Sequence, residues 1–74
     1  MPTYVVTSTP QRLSKDNKAA IANHITDIHC SVTGAPRYFV QLLFNDVPAE
    51  NYSLAGKPLE EDNIYVHGHI REGR

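Results

Sequence analysis

The sequence is poor in the features that let a small protein be stable by itself. It has one cysteine, so no intrachain disulfide can form, and disulfides are the usual reinforcement of small secreted domains. No apolar run approaches the roughly 20 residues that a membrane-spanning helix needs. Residues 1–10 have no basic stretch followed by an apolar one, as a signal peptide would have. These absences predict a cytoplasmic protein without a membrane segment.

The chain also lacks an excess of either charge. Seven lysines and arginines stand against eight aspartates and glutamates, which gives a formal net charge of −1. Proteins that bind nucleic acids through the phosphate backbone carry a marked basic excess. We therefore expect no nucleic-acid partner.

At 74 residues the chain has room for one domain, residues 1–74. A core of this size contributes no more than roughly 3–5 kcal/mol of net stability. Because no disulfide is available, the missing stability is expected to come from a metal or from contact with other subunits.

Local signals predict an α+β fold built on a single β-α-β unit. Residues 3–8 are rich in β-branched and aromatic side chains and predict a strand. A helix is predicted to begin after Ser14, a good N-cap with Asp16 in the first turn, and to end at Gly34, which Pro36 follows. Four apolar residues at helical spacing form one narrow stripe that is expected to pack on a sheet: Ile21, Ile25, Ile28 and Val32.

The remaining segments complete the sheet. Residues 37–46 alternate as a second strand that is apolar on one face and partly apolar on the other, so we expect it to be central or covered on both faces. A right-handed crossover makes this strand parallel to the first. Residues 47–63 predict a loop with a short helical turn, and residues 64–70 predict a last strand. One helix cannot cover both faces of a sheet, so the second face is expected to be an association site.

Two groups near the ends of the chain could carry chemistry. Removal of Met1 would leave Pro2 with a secondary amine, and a free α-amino group, which titrates at about 7.7–8.0, exchanges protons near neutral pH. Arg71 and Arg74, three residues apart after a strand, can converge on one carboxylate. The simpler explanation for Pro2 is that proline is common after Met. The simpler explanation for the two arginines is that they belong to a solvated charged tail.

Histidines form a third group. His29 lies at the edge of the apolar stripe, where it can face a groove beside the sheet, and His24 lies at the opposite edge. His67 and His69, two apart on a strand, point to the same side and have a zinc-ligand spacing that Cys30 or His29 could complete. No pair at helical ligand spacing supports a metal, so a zinc-binding structural module is kept only as an alternative.

Several segments together match a known pattern over the whole chain. They are Pro2-Thr3-Tyr4, Gln11-Arg12-Leu13, Ala22 with Ile25-Thr26-Asp27-Ile28-His29, Leu42-Leu43-Phe44-Asn45, Ile64-Tyr65-Val66-His67-Gly68 and Arg71-Glu72-Gly73-Arg74. The Thr-Asp-x-His step and the Arg-Glu-Gly-Arg end are the specific parts. The chain thus resembles the tautomerase superfamily, typified by 4-oxalocrotonate tautomerase, and most of all the first half of cis-3-chloroacrylic acid dehalogenase and its relatives.

This resemblance implies an enzyme that uses neither a cofactor nor a metal. Pro2, after removal of Met1, matches the family's catalytic amino-terminal proline, and His29 matches the helix histidine that contacts the substrate or positions water. Arg71 and Arg74 match the arginine pair that binds the substrate carboxylate. The implied reaction is proton transfer on a small unsaturated or 2-oxo carboxylate. A neutral proline amine acts as a base in keto–enol tautomerisation, and a cationic one acts as an acid in water addition.

The sequence departs from this family in one respect. The dehalogenases continue into a second β-α-β unit, which supplies a tyrosine and a water-activating glutamate, and neither Tyr65 nor Glu72 occupies those positions. Hydrolytic dehalogenation would therefore need a carboxylate from another chain. The expected assembly is a homohexamer, a trimer of dimers, or a heterohexamer with a second short subunit. The alternative is a non-catalytic subunit, or half of a longer protein, that needs a partner β-α-β unit.

Overall fold

Strands and one long helix make up most of the computed structural model, which describes residues 2–59 and 63–70. The elements in chain order are β1 (Thr3–Ser8), α1 (Lys15–Thr33), β2 (Gln41–Asp46), β3 (Ser53–Leu54), β4 (Lys57–Pro58) and β5 (Tyr65–His69). Short 3₁₀ turns cover Arg37–Phe39 and Ala49–Asn51. No helix among the described residues is long and apolar enough to cross a membrane.

Local capping defines the ends of α1, as predicted. The Asn17 backbone N–H donates to the Ser14 hydroxyl at 3.0 Å, and the Ser14 N–H donates to the Asn17 side-chain oxygen at 3.1 Å. This reciprocal pair satisfies two of the backbone donors that a helix start leaves free. Gly34 ends the helix in the left-handed region, with φ of 76°, and its N–H donates to the Cys30 carbonyl.

The sheet has the strand order β2-β1-β5. β1 and β2 are parallel, and they flank α1 in sequence, so the predicted β-α-β unit is confirmed. β5 lies antiparallel on the other side of β1. The expectation that the second strand is central or covered on both faces is wrong, because β2 is an edge strand with exposed residues and β1 holds the centre.

The second strand also starts later than predicted, at Gln41 instead of residue 37. The residues before it form a 3₁₀ turn that the Arg37 guanidinium ties to α1. That guanidinium donates to the Asn23 side-chain oxygen at 2.8 Å and to the Asp27 carboxylate. The tether holds Arg37 against the helix and keeps it out of the β-ladder.

Strand alternation gives the sheet two different faces. The helix face lies under α1, and its deepest residues are Val6 and Ser8, 1% and 2% exposed. Its members on the three strands are Tyr4, Val6, Ser8, Leu42, Phe44, Asp46, Val66 and Gly68. The open face carries the alternate residues, Thr3, Val5, Thr7, Gln41, Leu43, Asn45, Tyr65, His67 and His69. All six open-face residues on β2 and β5 are exposed.

The apolar stripe of α1 is only partly directed at the sheet. Ile21 and Ile25 are half-buried, but Ile28 and Val32 are 64% and 80% exposed. The expectation that the whole stripe packs on the sheet is therefore wrong for its second half. One helix covers part of a three-stranded sheet, and these two residues project beside β5, over a groove that the described residues leave open.

The segment between β2 and β5 contains the expected short helical turn at Ala49–Asn51 and a small hairpin, β3 with β4, that the sequence pattern did not predict. The hairpin turn uses Ala55 and Gly56 in the left-handed region, with φ of 58° and 82°. The Leu59 N–H donates to the Tyr52 carbonyl at 2.7 Å, which closes the segment onto itself.

Candidate active site

One side-chain pair connects the helix to the central strand. The Tyr4 hydroxyl lies 2.8 Å from Nδ1 of His29, and the two rings meet edge to face with centroids 5.8 Å apart. His29 is 5% exposed, although sequence periodicity placed it only at the edge of the buried stripe. It lies on the inner side of α1 because its partner Tyr4 rises from the helix face of β1.

The second nitrogen of His29 has a different environment. Nε2 is buried and has no hydrogen-bond partner among the described residues. A buried polar nitrogen without a partner costs about 1–3 kcal/mol, so a water or a ligand that hydrogen-bonds to Nε2 would be stabilising. When Tyr4 donates to Nδ1, the imidazole proton lies on Nε2, which then becomes a hydrogen-bond donor.

Gly68 sets the position of the Tyr4 ring. The two residues are register partners between β1 and β5. A Cβ at position 68 would lie 2.8 Å from Cε1 of Tyr4, closer than real Cβ contacts, and 3.0 Å from its Cδ1, closer than most of them. Only glycine lets the ring lie across β5 at this height, and the hydroxyl therefore reaches His29.

Pro2 lies at the start of the same row of side chains. Its side chain is less than 2% exposed, like that of Val6. Its carbonyl accepts a hydrogen bond from the Gln41 N–H at 3.0 Å. Strand alternation puts Pro2 and Tyr4 on the helix face, with Cα atoms about 6.6 Å apart at 3.3 Å per residue. This alternation assigns Pro2 to the sheet face from which Tyr4 reaches His29, but Pro2 does not line the groove that Tyr4 and His29 share.

A groove of about 340 Å³ adjoins this row. Its walls are mostly apolar, with His29 and the hydroxyls of Tyr4 and Thr33 as the polar groups; the lining is Tyr4, Ile25, Ile28, His29, Val32, Thr33, Val66 and Ile70. Because His69 pairs with Thr3, the described chain leaves β5 at the Pro2 end of the sheet. Arg71 and Arg74 lie outside the described residues.

The zinc alternative fails on geometry. His67 and His69 do point to the same side, with ring centroids 4.2 Å apart, but that side is the open face. Cys30 and His29 belong to α1, on the opposite side of the sheet. Among residues 2–59 and 63–70 no three His, Cys, Asp or Glu side chains are grouped to hold a metal. His24 is exposed and lies outside this site.

Tyr4 is the site residue that sequence reasoning missed. Its aromatic side chain is typical of β-strands, so it does not stand out in the sequence, and its partner His29 is 25 residues away. Alternation already puts it on the same strand face as Pro2, which is the one signal that could have marked it.

Comparison with known proteins finds a family model that covers nearly the whole chain. The model of a family described as "Putative oxalocrotonate tautomerase enzyme" matches residues 1–71. No protein with a curated description matches the chain.

Three solved structures are similar to the chain. The crystal structure of N1, a member of the cis-3-chloroacrylic acid dehalogenase family, is 35% identical with a TM-score of 0.81, over 88% of this chain and 46% of that one. Native Ps01740 is 30% identical with a TM-score of 0.87, over 97% of this chain and 62% of that one. The R7 fused 4-OT wild-type asymmetric trimer is 33% identical with a TM-score of 0.66, over 77% of this chain and 46% of that one.

The chain therefore spans between 46% and 62% of the length of these three solved structures. The family model covers nearly all of it, and two of these structures share its fold over most of its length at 30% identity or more. On this evidence the chain belongs to the oxalocrotonate tautomerase family, within the tautomerase superfamily.

Proposed function

We propose that the chain is a tautomerase that moves a proton on a small unsaturated or 2-oxo carboxylate. The observation that carries the proposal is the unpartnered, buried Nε2 of His29, on the same sheet face as Pro2. A proton-transferring group and a hydrogen-bond donor on one face are what an enolising site needs.

Pro2 performs the proton transfer. With Met1 attached, its nitrogen is an amide and has no basic lone pair. Once Met1 is removed, the nitrogen is a secondary amine. The amine takes a proton from the carbon beside the substrate carbonyl, and the C–H electron pair moves into an enolate. The same proton then returns at the other end of the conjugated system, so the enzyme is unchanged.

His29 stabilises the oxygen on which charge develops. Tyr4 donates to Nδ1, which keeps the proton on Nε2, and Nε2–H donates to the enolate oxygen. A donor that is already oriented and desolvated stabilises developing charge without reorganising during the reaction. The hydrogen bond also gives Nε2 the partner that the described residues do not supply.

Arg71 and Arg74 hold the substrate carboxylate through charge-assisted hydrogen bonds. This role is supported by position in the sequence. Arg71 directly follows Ile70, and β5 ends just before Ile70 at the Pro2 side of the sheet. This arrangement puts the carboxylate at one end of the site and the reacting carbon beside Pro2.

Copies of the chain assemble into a homohexamer or, with a second short subunit, a heterohexamer. The support is the amount of apolar surface left open and the assembly of a related protein, the fused 4-OT, as a trimer. Hydrolytic dehalogenation would require a water-activating carboxylate from a different partner unit, so that reaction belongs only to a heterohexamer that includes one.

Turnover of phenylenolpyruvate, with intact mass measured on the same sample, tests the proposal. Chain without Met1 is expected to be active, and Pro2→Ala is expected to lose at least about 100-fold in kcat/KM, the scale of one general acid–base group. Pro10→Ala, at an exposed turn position, is the matched control and keeps full activity. Equal rates for Pro2→Ala and the wild-type chain would overturn the proposal.

A second candidate function is a non-catalytic unit that completes its site only with a partner β-α-β unit. The chain's span of 46–62% of the three solved structures favours it. Under this alternative the isolated chain is inactive even without Met1, and activity appears on mixing with a partner subunit.

A further inference from the structure

Among the described residues, the open face of the sheet has no charged member. Among its nine members none is Asp, Glu, Lys or Arg, although 20% of the whole chain is charged. Leu43 and Tyr65 are 49% and 52% exposed on this face. A surface that stays in water is normally rich in charge, so an uncharged face with exposed apolar side chains fits contact with another protein.

Two members of the described open face are histidines. His67 and His69 have ring centroids 4.2 Å apart with their planes inclined by 39°. Tyr65 lies next to them, with its ring centroid 6.1 Å from that of His67. Imidazole is the side chain whose ordinary titration falls between pH 5 and 8.

The neighbouring strands offer these histidines no charged partner. β1 presents Thr3, Val5 and Thr7 to the open face, and β2 presents Gln41, Leu43 and Asn45. On β5 itself the one other titratable group is the Tyr65 phenol. None of these groups is a carboxylate that could balance an imidazolium.

The occupant that best suits this face is a second copy of the chain. An uncharged face opposes no like charges when it meets its own copy, so it is electrostatically compatible with itself. This step rests on the proposed assembly of the chain.

We infer that the His67–His69 pair makes this assembly acid-sensitive. Protonation puts two adjacent cations on a face that association removes from water, and buried unpaired charge is costly. The separated chain keeps both histidines in water and therefore binds more protons than the assembly does. Lowering the pH then favours the separated form.

The size of the effect follows from linkage. Each histidine that must release its proton on association weakens association by up to about tenfold for each pH unit of acidification. Two histidines in each copy give up to about a hundredfold for each copy that associates.

Sedimentation of the chain at about pH 8 and about pH 5.5 tests the inference. The wild-type association constant is expected to fall at least about tenfold on acidification. The double variant His67→Gln, His69→Gln is expected to lose that dependence. His24→Gln, an exposed histidine on α1, is the matched control and keeps the wild-type dependence. Circular dichroism at both pH values checks that the chain remains folded.

Two results would overturn the inference: association that does not change with pH, and a double variant as acid-sensitive as the wild-type chain. If the double variant does not fold, the single variants His67→Gln and His69→Gln are used instead. Each is expected to lose about half of the change in the logarithm of the association constant between the two pH values. A chain that is monomeric at both pH values overturns the assembly and the inference together. Turnover is measured separately, so an inactive chain with acid-sensitive association contradicts only the proposed enzyme activity.

Discussion

Tyr4 holds His29 through a hydrogen bond of 2.8 Å between residues 25 positions apart. The bond joins the central strand to the inner side of α1. It leaves Nε2 as the only nitrogen of His29 without a partner among the described residues. The orientation of this histidine is therefore set by a strand residue and not by the helix that carries it.

Tyr4→Phe is expected to release His29 from the proposed tautomer, in which the ring proton is on Nε2. The change removes the hydroxyl and leaves Nδ1 buried without its partner, at a stability cost of about 1–3 kcal/mol. Nitrogen chemical shifts of the His29 ring measure the effect: the wild-type chain shows the proton on Nε2, and the variant shows a mixture. Rates of phenylenolpyruvate turnover are expected to fall through kcat more than through KM, because the donor acts on developing charge.

The control for this variant is Tyr38→Phe, which removes a hydroxyl from a residue that is 80% exposed. It is expected to change neither the His29 shifts nor the rate. An unchanged tautomer in Tyr4→Phe would show that the hydrogen bond does not orient His29.

Gly68→Ala is expected to disturb the same bond from the opposite strand. The new Cβ would lie 2.8 Å from the Tyr4 ring, so the ring must move away, and His29 loses its partner. Overpacking of this kind costs about 1–3 kcal/mol in the free energy of unfolding. Chemical denaturation measures it.

A double-mutant cycle isolates the cause. In the Tyr4→Ala background the ring is absent, so Gly68→Ala is expected to cost much less than in the wild-type chain. The same cost in both backgrounds would mean that glycine is needed at position 68 for another reason, such as strand pairing.

Parts of the fold could be predicted because they depend on neighbours in sequence. The ends of α1 follow from Ser14, Asn17 and Gly34, which act within a few residues of each helix end. Strand order could not be predicted in the same way. The central position of β1 depends on its pairing with β5, about 60 residues later in the chain. The same limit applies to the site, since nothing local marks Tyr4 as the partner of His29.

Ser14→Ala is expected to destabilise the helix start. It removes the hydroxyl that accepts the Asn17 N–H, and loss of such a cap costs about 1 kcal/mol. The midpoint of chemical denaturation should fall accordingly, with no change in the denaturant slope. Ser31→Ala, an exposed position inside the same helix, is the control and is expected to be neutral or slightly stabilising because alanine favours helix. A cap variant as stable as this control would contradict the capping role.

Ile28→Gln with Val32→Gln separates the stability of the single chain from its association. Both side chains are mostly exposed in the chain by itself, so their replacement is expected to change its free energy of unfolding by no more than about 0.5 kcal/mol. In the proposed assembly they are covered by a partner, and the association constant is expected to fall at least about tenfold at any pH. Sedimentation measures association, and denaturation of the dilute chain measures stability. The control is Ser31→Gln, on the same helix but outside the groove. An unchanged association constant in the double variant would mean that this groove stays open in the assembly and that copies meet only through other surfaces, such as the open face.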